Sequence, residues 1–411
     1  MISGTLLRRW LTWRWLTWRW LTLAWLASGG ALASCERPPR SAASPPAASA
    51  AAVSAPAARP KWRIGTTGDY APFSTRTADG QPEGFDIELA RAMAEDLNAE
   101  LEWVSVRWPT LTAAVTAREL DVAMTGVTWQ PARGVIGYLT RAVARGGPCV
   151  LGDAKGTPVA VNRGGALEAY ARSRWPEAEL ITVEDNQSLP GLLAAGRVRA
   201  IVTDSFELRA FARPGWSSQC EPRITRKVYW VAPGREELAR AIDGWLETHS
   251  ERVQAAQERW FGERQSLRPI DHLSDLLARR LAFMPLVAGA KAKAGLPVED
   301  LPRERQVLDA SVERARRLQL PEARVRDLFA LQLELAKAVQ RRKSEATQLD
   351  LAGQLRPALD ALGERVLDAI AAAQSAGQLE TVTLVDLEPL TPWLEKAERE
   401  RLLEALRGLA R

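Results

Sequence analysis

The chain has 411 residues, 46% hydrophobic and 26% charged, which is long enough for two or three domains of ordinary soluble composition. Its formal charge of +5 comes from Lys and Arg interspersed with Asp and Glu, with no basic block, so a nucleic-acid partner is not expected. The two histidines, His249 and His272, lie far apart in the chain, which argues against a histidine-rich metal site and gives no sign of a Ser-His-Asp triad, leaving acid–base chemistry to carboxylates, lysines or tyrosines.

Residues 1–35 have the build of an export signal. Arg8 and Arg9 precede an apolar run ending near Ala33, although "WLTWRWLTWRWLT" puts Arg14 and Arg19 inside that run. The same arginines weigh against a permanent membrane span, which needs about 20 uncharged apolar residues. "LASC", Leu32–Cys35, resembles the lipobox of bacterial lipoproteins, which implies cleavage before Cys35 and a lipid group on it. Residues 36–60 are nearly all Ala, Pro and Ser, a composition that buries little and reads as a tether. The expected location is periplasmic, touching membrane only through the lipid. In that oxidising compartment Cys149 and Cys220 are candidates to pair, against two buried free thiols.

From about 61 to 266, strand and helix patterns alternate: "KWRIGTTGDYAPF", "GFDIELARAMAEDLNAELEWVSV", "ARELDVAMTGVTW", "TPVAVNRGG" and "VRAIVTDSFE". This implies an α/β sheet with ligands beyond the carboxyl ends of the strands. The polar clusters Thr66–Asp69, Thr125–Thr128, Asn162–Gly165 and Thr203–Glu207 fall at such ends. The segments "GTTGDYAPF", "GFDIELARAMAEDL", "WPTL" and "DVAMTGVT" resemble the periplasmic amino-acid-binding proteins, which implies two α/β lobes closing on a ligand. In that family an arginine after the "TGVT"-like strand grips the ligand carboxylate and a later aspartate takes its amino group. Arg133 and Asp204 match. "TTGDYAPFS", "WPTL" and "VTDSFE" are similar to one enzyme branch, the cyclohexadienyl dehydratases, which convert prephenate to phenylpyruvate or arogenate to phenylalanine. The resemblance makes Glu207 the catalytic acid, with Tyr70 and Trp108 flanking the ring and Asp69, Thr125, Thr128 and Asn162 as further substrate contacts. The branch carries a lysine in the segment crossing between lobes, where this chain reads "ARGGPCVLG", and a Thr-Asn pair where this chain has Ala166-Leu167.

Composition shifts at Arg268 toward Leu, Ala, Arg and Glu, and 269–411 reads as amphipathic helices. Leu273, Leu276, Leu277, Met284 and Val287 form one stripe. Arg280 and Lys291 lie on it, eleven residues or about three turns apart. Either they snorkel at the rim or they serve a site, since an unpaired charge on a packed face is costly. "LARRLAFMPLVAGAKAKAGLPVEDLPRERQVL" resembles the all-helical chorismate mutases in spacing: Arg280, Lys291, Asp300, Arg303 and Glu304, without gaps. The resemblance adds Gln340 from the next long helix, as a donor to the substrate's ether oxygen, and Arg365 from a late helix, as in the family's secreted subclass. Residues beyond 376 read as one more helix without an assignable role.

The expected architecture is therefore a two-lobed α/β domain, periplasmic-binding-protein-like, over 61–266, followed by an all-α chorismate mutase domain over 269–411. The implied substrates are chorismate and prephenate or arogenate, with no cofactor and no metal. The competing reading is an amino-acid-binding lipoprotein of an importer, or a sensor, with an attached mutase. The sequence leaves open whether the chain stays single or forms a homodimer.

Overall fold

The computed structural model describes residues 59–153, 155, 157–221 and 225–410. The signal, the lipobox with Cys35 and most of the 36–60 tether lie outside the described residues. Among those described, no helix is long and apolar enough to cross a membrane.

The first lobe starts at strand Lys61–Thr66, whose alternation puts Trp62 and Ile64 into the core. It pairs in parallel with Glu100–Ser105 on one side and Val122–Ala123 on the other. Trp230–Val231 runs antiparallel beside Val122–Ala123, and Tyr138–Leu139, antiparallel to it, completes the five-stranded sheet at the edge. Helix Phe85–Asp96 covers one face, burying Phe85, Ile87, Leu89 and Met93 at helical spacing. The second lobe is a second five-stranded sheet, in the order Leu180–Val183, Val159–Asn162, Ala200–Asp204, Pro148–Gly152, Ser218–Cys220.

Two segments carry the chain between the lobes. Ala144–Gly146 leads out, Thr225–Lys227 leads back, and the two pair antiparallel with Arg226 opposite Arg145. Helices Glu236–Thr248 and Ser250–Phe261 then return to the first lobe, where Trp245, Val253 and Phe261 join its core. Helix Ser250–Phe261 ends at Gly262, whose φ of 74° is the left-handed stop that glycine accepts most readily.

The helical part begins at Pro269, in the first turn where a missing N–H costs nothing, with the Asp271 carboxylate accepting from the Arg268 N–H. Helix Pro269–Ala282 breaks at Phe283 before Met284–Lys293, because Pro285 cannot donate a hydrogen bond. Helices Leu301–Arg317, Glu322–Arg342 and Arg356–Ser375 follow. Helix Lys396–Gly408 closes one end of the bundle, inserting Leu402 and Leu406 into the shared core and pairing Arg401 with Glu334 at 2.8 Å.

Helix Pro269–Ala282 also seats the bundle on the α/β part. Asp275 is ion-paired to Arg226, Arg279 donates to the Thr140 carbonyl at 2.9 Å, and Phe283 meets the edge of Trp129 at 6.3 Å.

Cys149 and Cys220 are joined by a disulfide across 71 residues, at register partners of neighbouring strands in the second lobe. Such a crosslink stabilises chiefly by restricting the unfolded chain. Replacing both cysteines by serine is expected to lower stability by roughly 2–4 kcal/mol, read as a lower Tm of the α/β part. An unchanged Tm would show that the crosslink contributes nothing.

Candidate active sites

The cleft between the lobes measures about 380 Å³ and is lined by Tyr70, Trp108, Thr128 and Arg133 from the first lobe and Asn162, Asn186 and Glu207 from the second, with Lys227 from the returning segment. Strand Ala200–Asp204 carries the second lobe's chemistry to its carboxyl end, where Asp204 caps a short turn, Ser205–Glu207. That turn rotates Glu207 back beneath its own strand. There Thr203 Oγ1 donates to Glu207 Oε2 at 2.5 Å, and Asn186 Nδ2 donates to Oε1. Opposite, Gly126 has φ of 63°, and a Cβ there would stand 2.4 Å from the Tyr70 ring, so only glycine lets Tyr70 line the cleft.

Lys227 is the centre of the cleft. Its side chain and that of Asp204 are each 2% exposed, with Nζ 2.8 Å from Asp204 Oδ2. Lys227 also donates to Tyr70 Oη at 2.7 Å and Thr128 Oγ1 at 3.0 Å. Glu207 is fully buried. Burial, aided by the negative charge of Asp204, pushes its carboxyl up to about 8, against the opposing pull of the Thr203 bond and of Lys227. The Tyr70 hydroxyl is pushed well up by burial and then by Asp204.

Arg133 lies between the rings of Trp108 and Trp230, at 5.5 and 5.7 Å, and donates to the Thr128 carbonyl at 2.6 Å. It is 7% exposed, and burial lowers its guanidinium to about 10. Among the described residues it pairs with no carboxylate. A buried cation without a counterion is a prepared seat for an anion.

Six expected contacts, Tyr70, Trp108, Thr128, Arg133, Asn162 and Glu207, therefore line one cleft. Three do not. Thr125 turns its hydroxyl to Thr67, bonding its N at 3.2 Å and its Oγ1 at 2.7 Å. Asp69 offers its backbone carbonyl, not its carboxylate, to Gln187 of the other lobe at 2.8 Å. Asp204 is spent on Lys227 and stands behind the cleft wall, so it is not free to take a ligand's amino group. Ala144–Gly152 holds no lysine, and the returning segment brings one, Lys227, to the cleft. Asn186 carries no signal in the sequence, since "EDNQS" reads only as a turn capped by Asp185.

The second site lies inside the helical bundle, in a pocket of about 680 Å³. Arg280, Lys291, Arg303, Lys337 and Arg356 bring five cationic groups to its walls, against three carboxylates, Asp300, Glu304 and Asp360. The acids hold the cations in place. Asp300 caps helix Leu301–Arg317 through the Arg303 N–H at 3.2 Å and accepts from Arg356 Nη2 at 2.6 Å. Asp360 pairs with Arg303, and Glu304 with Lys337 at 3.0 Å. Arg280 donates to the Leu359 carbonyl at 3.1 Å, and burial lowers it to about 10. Lys291 is lowered by burial, opposed by the charge of Asp300, and spends one of its donors on the Val298 carbonyl. Gln340 donates to Met284 Sδ at 3.4 Å, and its buried Oε1 has no partner among the described residues. A flip of that amide would exchange the two ends, putting the NH2 where Oε1 now stands.

Arg365 is the correction in this site. It leaves the bundle, donating to the Leu139 carbonyl at 2.8 Å and to Asp243 Oδ2 at 3.2 Å, with its guanidinium 4.4 Å from the Tyr138 ring centre. Arg356 stands nine residues earlier on the same helix, about two and a half turns, and so on the opposite face. It is Arg356 that reaches the pocket.

Residues 62–263 match the family described as bacterial extracellular solute-binding proteins, family 3, and residues 264–341 match chorismate mutase type II. Cyclohexadienyl dehydratase of Pseudomonas aeruginosa is 30% identical over 203 residues, 45% of this chain and 75% of that protein. The L-arginine-binding protein of the same species is 30% identical over 159 residues, 36% of this chain and 61% of that one. Among solved structures, an ancestral amino acid-binding protein described as a precursor of cyclohexadienyl dehydratase is 27% identical, covering 49% of this chain and 95% of that one with a TM-score of 0.45.

Arg133→Gln removes the cleft's cation that has no carboxylate partner among the described residues and is expected to weaken binding of an aromatic carboxylate about 10- to 100-fold, measured by titration calorimetry. Unchanged affinity would mean that the ligand's carboxylate sits elsewhere.

Proposed function

We propose that this chain, which belongs to the bacterial extracellular solute-binding proteins of family 3 and continues into a type II chorismate mutase domain, carries out two successive reactions: chorismate to prephenate in the bundle, then prephenate to phenylpyruvate in the cleft. The observation that carries the reading is Glu207, a buried carboxyl kept neutral near pH 7 at the floor of a cleft whose charged groups are cations.

The bundle reaction moves no proton. One C–O bond breaks as one C–C bond forms, and the protein's task is to hold a dianion in its compact form and meet the charge growing on the ether oxygen. Arg280, Arg303 and Arg356 clamp carboxylates. Lys291 and Gln340 donate to the ether oxygen, and Glu304 takes the ring hydroxyl. The cleft reaction needs an acid. The Glu207 O–H protonates the departing ring hydroxyl, the C–O bond breaks, and the ring carboxylate leaves as CO2 while its bonding electrons make the ring aromatic. Glu207 is then reprotonated from water. Arg133 holds the side-chain carboxylate, and Tyr70 and Trp108 flank the ring.

The cleft argues against a zwitterionic amino acid as its ligand. The aspartate suited to an ammonium is neutralised by Lys227, which also favours prephenate over arogenate. Export and lipidation at Cys35 complete the reading and place both reactions outside the cytoplasm.

Glu207→Gln is expected to lower prephenate turnover by at least about 100-fold while prephenate binding and chorismate turnover persist. A variant that still turns over prephenate would sink the assignment, and binding without turnover in the wild-type chain would favour the importer or sensor. The acid must be protonated, so kcat/KM for prephenate is expected to be level below pH 8 and to fall about tenfold per unit above it. In the bundle, Arg356→Ala is expected to reduce mutase kcat/KM by about 100-fold or more, and Arg365→Ala to leave it within about threefold. The reverse order would restore Arg365 to the site.

A further inference from the structure

The helix that seats the bundle on the α/β part touches the cleft through one strand. Thr225–Lys227 is three residues long, and successive side chains of a strand point to opposite faces. Lys227 points inward, to Asp204 and Tyr70. Arg226 points outward, to Asp275 of helix Pro269–Ala282. Asp275 is wholly buried and is held from its other side by Arg279 at 3.4 Å. Arg279 in turn donates to the Thr140 carbonyl at 2.9 Å and lies 5.5 Å from the Trp129 ring centre. The Trp129 N–H donates to the Arg226 carbonyl at 2.8 Å, so the same short strand is gripped by side chain and by backbone. The other crossing segment is gripped as well, with Arg145 donating to the Asp271 carbonyl at 3.2 Å.

This is more than glue between domains. A binding protein that opens and closes must let its two crossing strands flex. Here the strand bearing Lys227 is tied to a rigid helix one residue away from the lysine. A buried carboxylate shared by two guanidiniums is costly to release, because the fully buried Arg279 would lose its ion pair.

We infer, on the reading of the cleft as a dehydration site, that Asp275 of the mutase domain is a positioning residue for that reaction, acting through Arg226 to fix Lys227 against Asp204. The mutase domain thereby supplies part of the frame of the second active site. The same helix presents Arg280 to the mutase pocket one residue after Arg279, so each active site rests on a neighbouring side chain of one element.

The test uses the full chain with both activities measured on one preparation. Asp275→Asn is expected to lower kcat/KM for prephenate about 10- to 100-fold while mutase kcat stays within about twofold, and Asp275→Glu, which keeps the charge, is expected to recover most of the loss. Arg226→Gln is expected to match Asp275→Asn, and the double variant to be no worse than either single one, as required of residues acting in series. Prephenate turnover unchanged in Asp275→Asn, or losses that multiply in the double variant, would overturn the inference. If Asp275→Asn also lowers mutase turnover, Arg226→Gln decides, since it leaves the Asp275–Arg279 pair intact. A wild-type chain that turns over chorismate but not prephenate would instead remove the functional reading on which the inference rests.

Discussion

Lys227 paired with Asp204 is the interaction on which the cleft depends. Two carboxylates stand three residues apart on one turn, and they must not share a fate. The lysine gives its charge to Asp204, with which it forms a buried ion pair at 2.8 Å. Glu207 receives neutral donors only, from Thr203 and Asn186, and faces the charge of Asp204. One carboxylate is therefore spent in an ion pair, and the other, pushed up to about 8, is kept protonated, the separation of roles that acid chemistry near neutral pH requires. Breaking such a pair from one side leaves an uncompensated buried charge, at a cost of about 3–5 kcal/mol.

The bundle handles charge in the opposite sense. Nothing there needs to be neutral. Five cations against three carboxylates leave a surplus of positive charge for a doubly charged substrate, and the carboxylates fix the cations before any ligand arrives. Arg303 is held by Asp360 and Arg356 by Asp300, so little ordering remains to be done on binding. A cation-rich pocket and a cleft that holds a buried neutral carboxyl are joined through one helix, with Asp275 and Arg279 toward the cleft's frame and Arg280 toward the bundle.

What could be read from the sequence was local. Arg280 and Lys291 share a stripe by their spacing, the resemblance adds Asp300, Arg303 and Glu304, and all five meet in one pocket. Glu207 was legible through the resemblance of "VTDSFE" to the dehydratases, which is carried by one short stretch at the end of a strand. Lys227 was not, because it reaches Asp204 only after the chain has built the second lobe and crossed back. Arg365 and Arg356 show the limit on a single helix. Both are arginines near the right depth, and half a turn of phase, set by how the helix docks, decides which one enters the pocket. Asp275 and Arg279 look like ordinary helix charges until the α/β part is packed against them.

The central claim is that one chain holds both active sites and that the product of one is the substrate of the other. The most direct measurement gives chorismate to residues 36–411 with Cys35→Ser and follows chorismate and phenylpyruvate together. The account predicts that chorismate disappears and phenylpyruvate appears in equal amount, without lasting prephenate. Prephenate that accumulates and persists would contradict it, leaving a mutase joined to a binding domain.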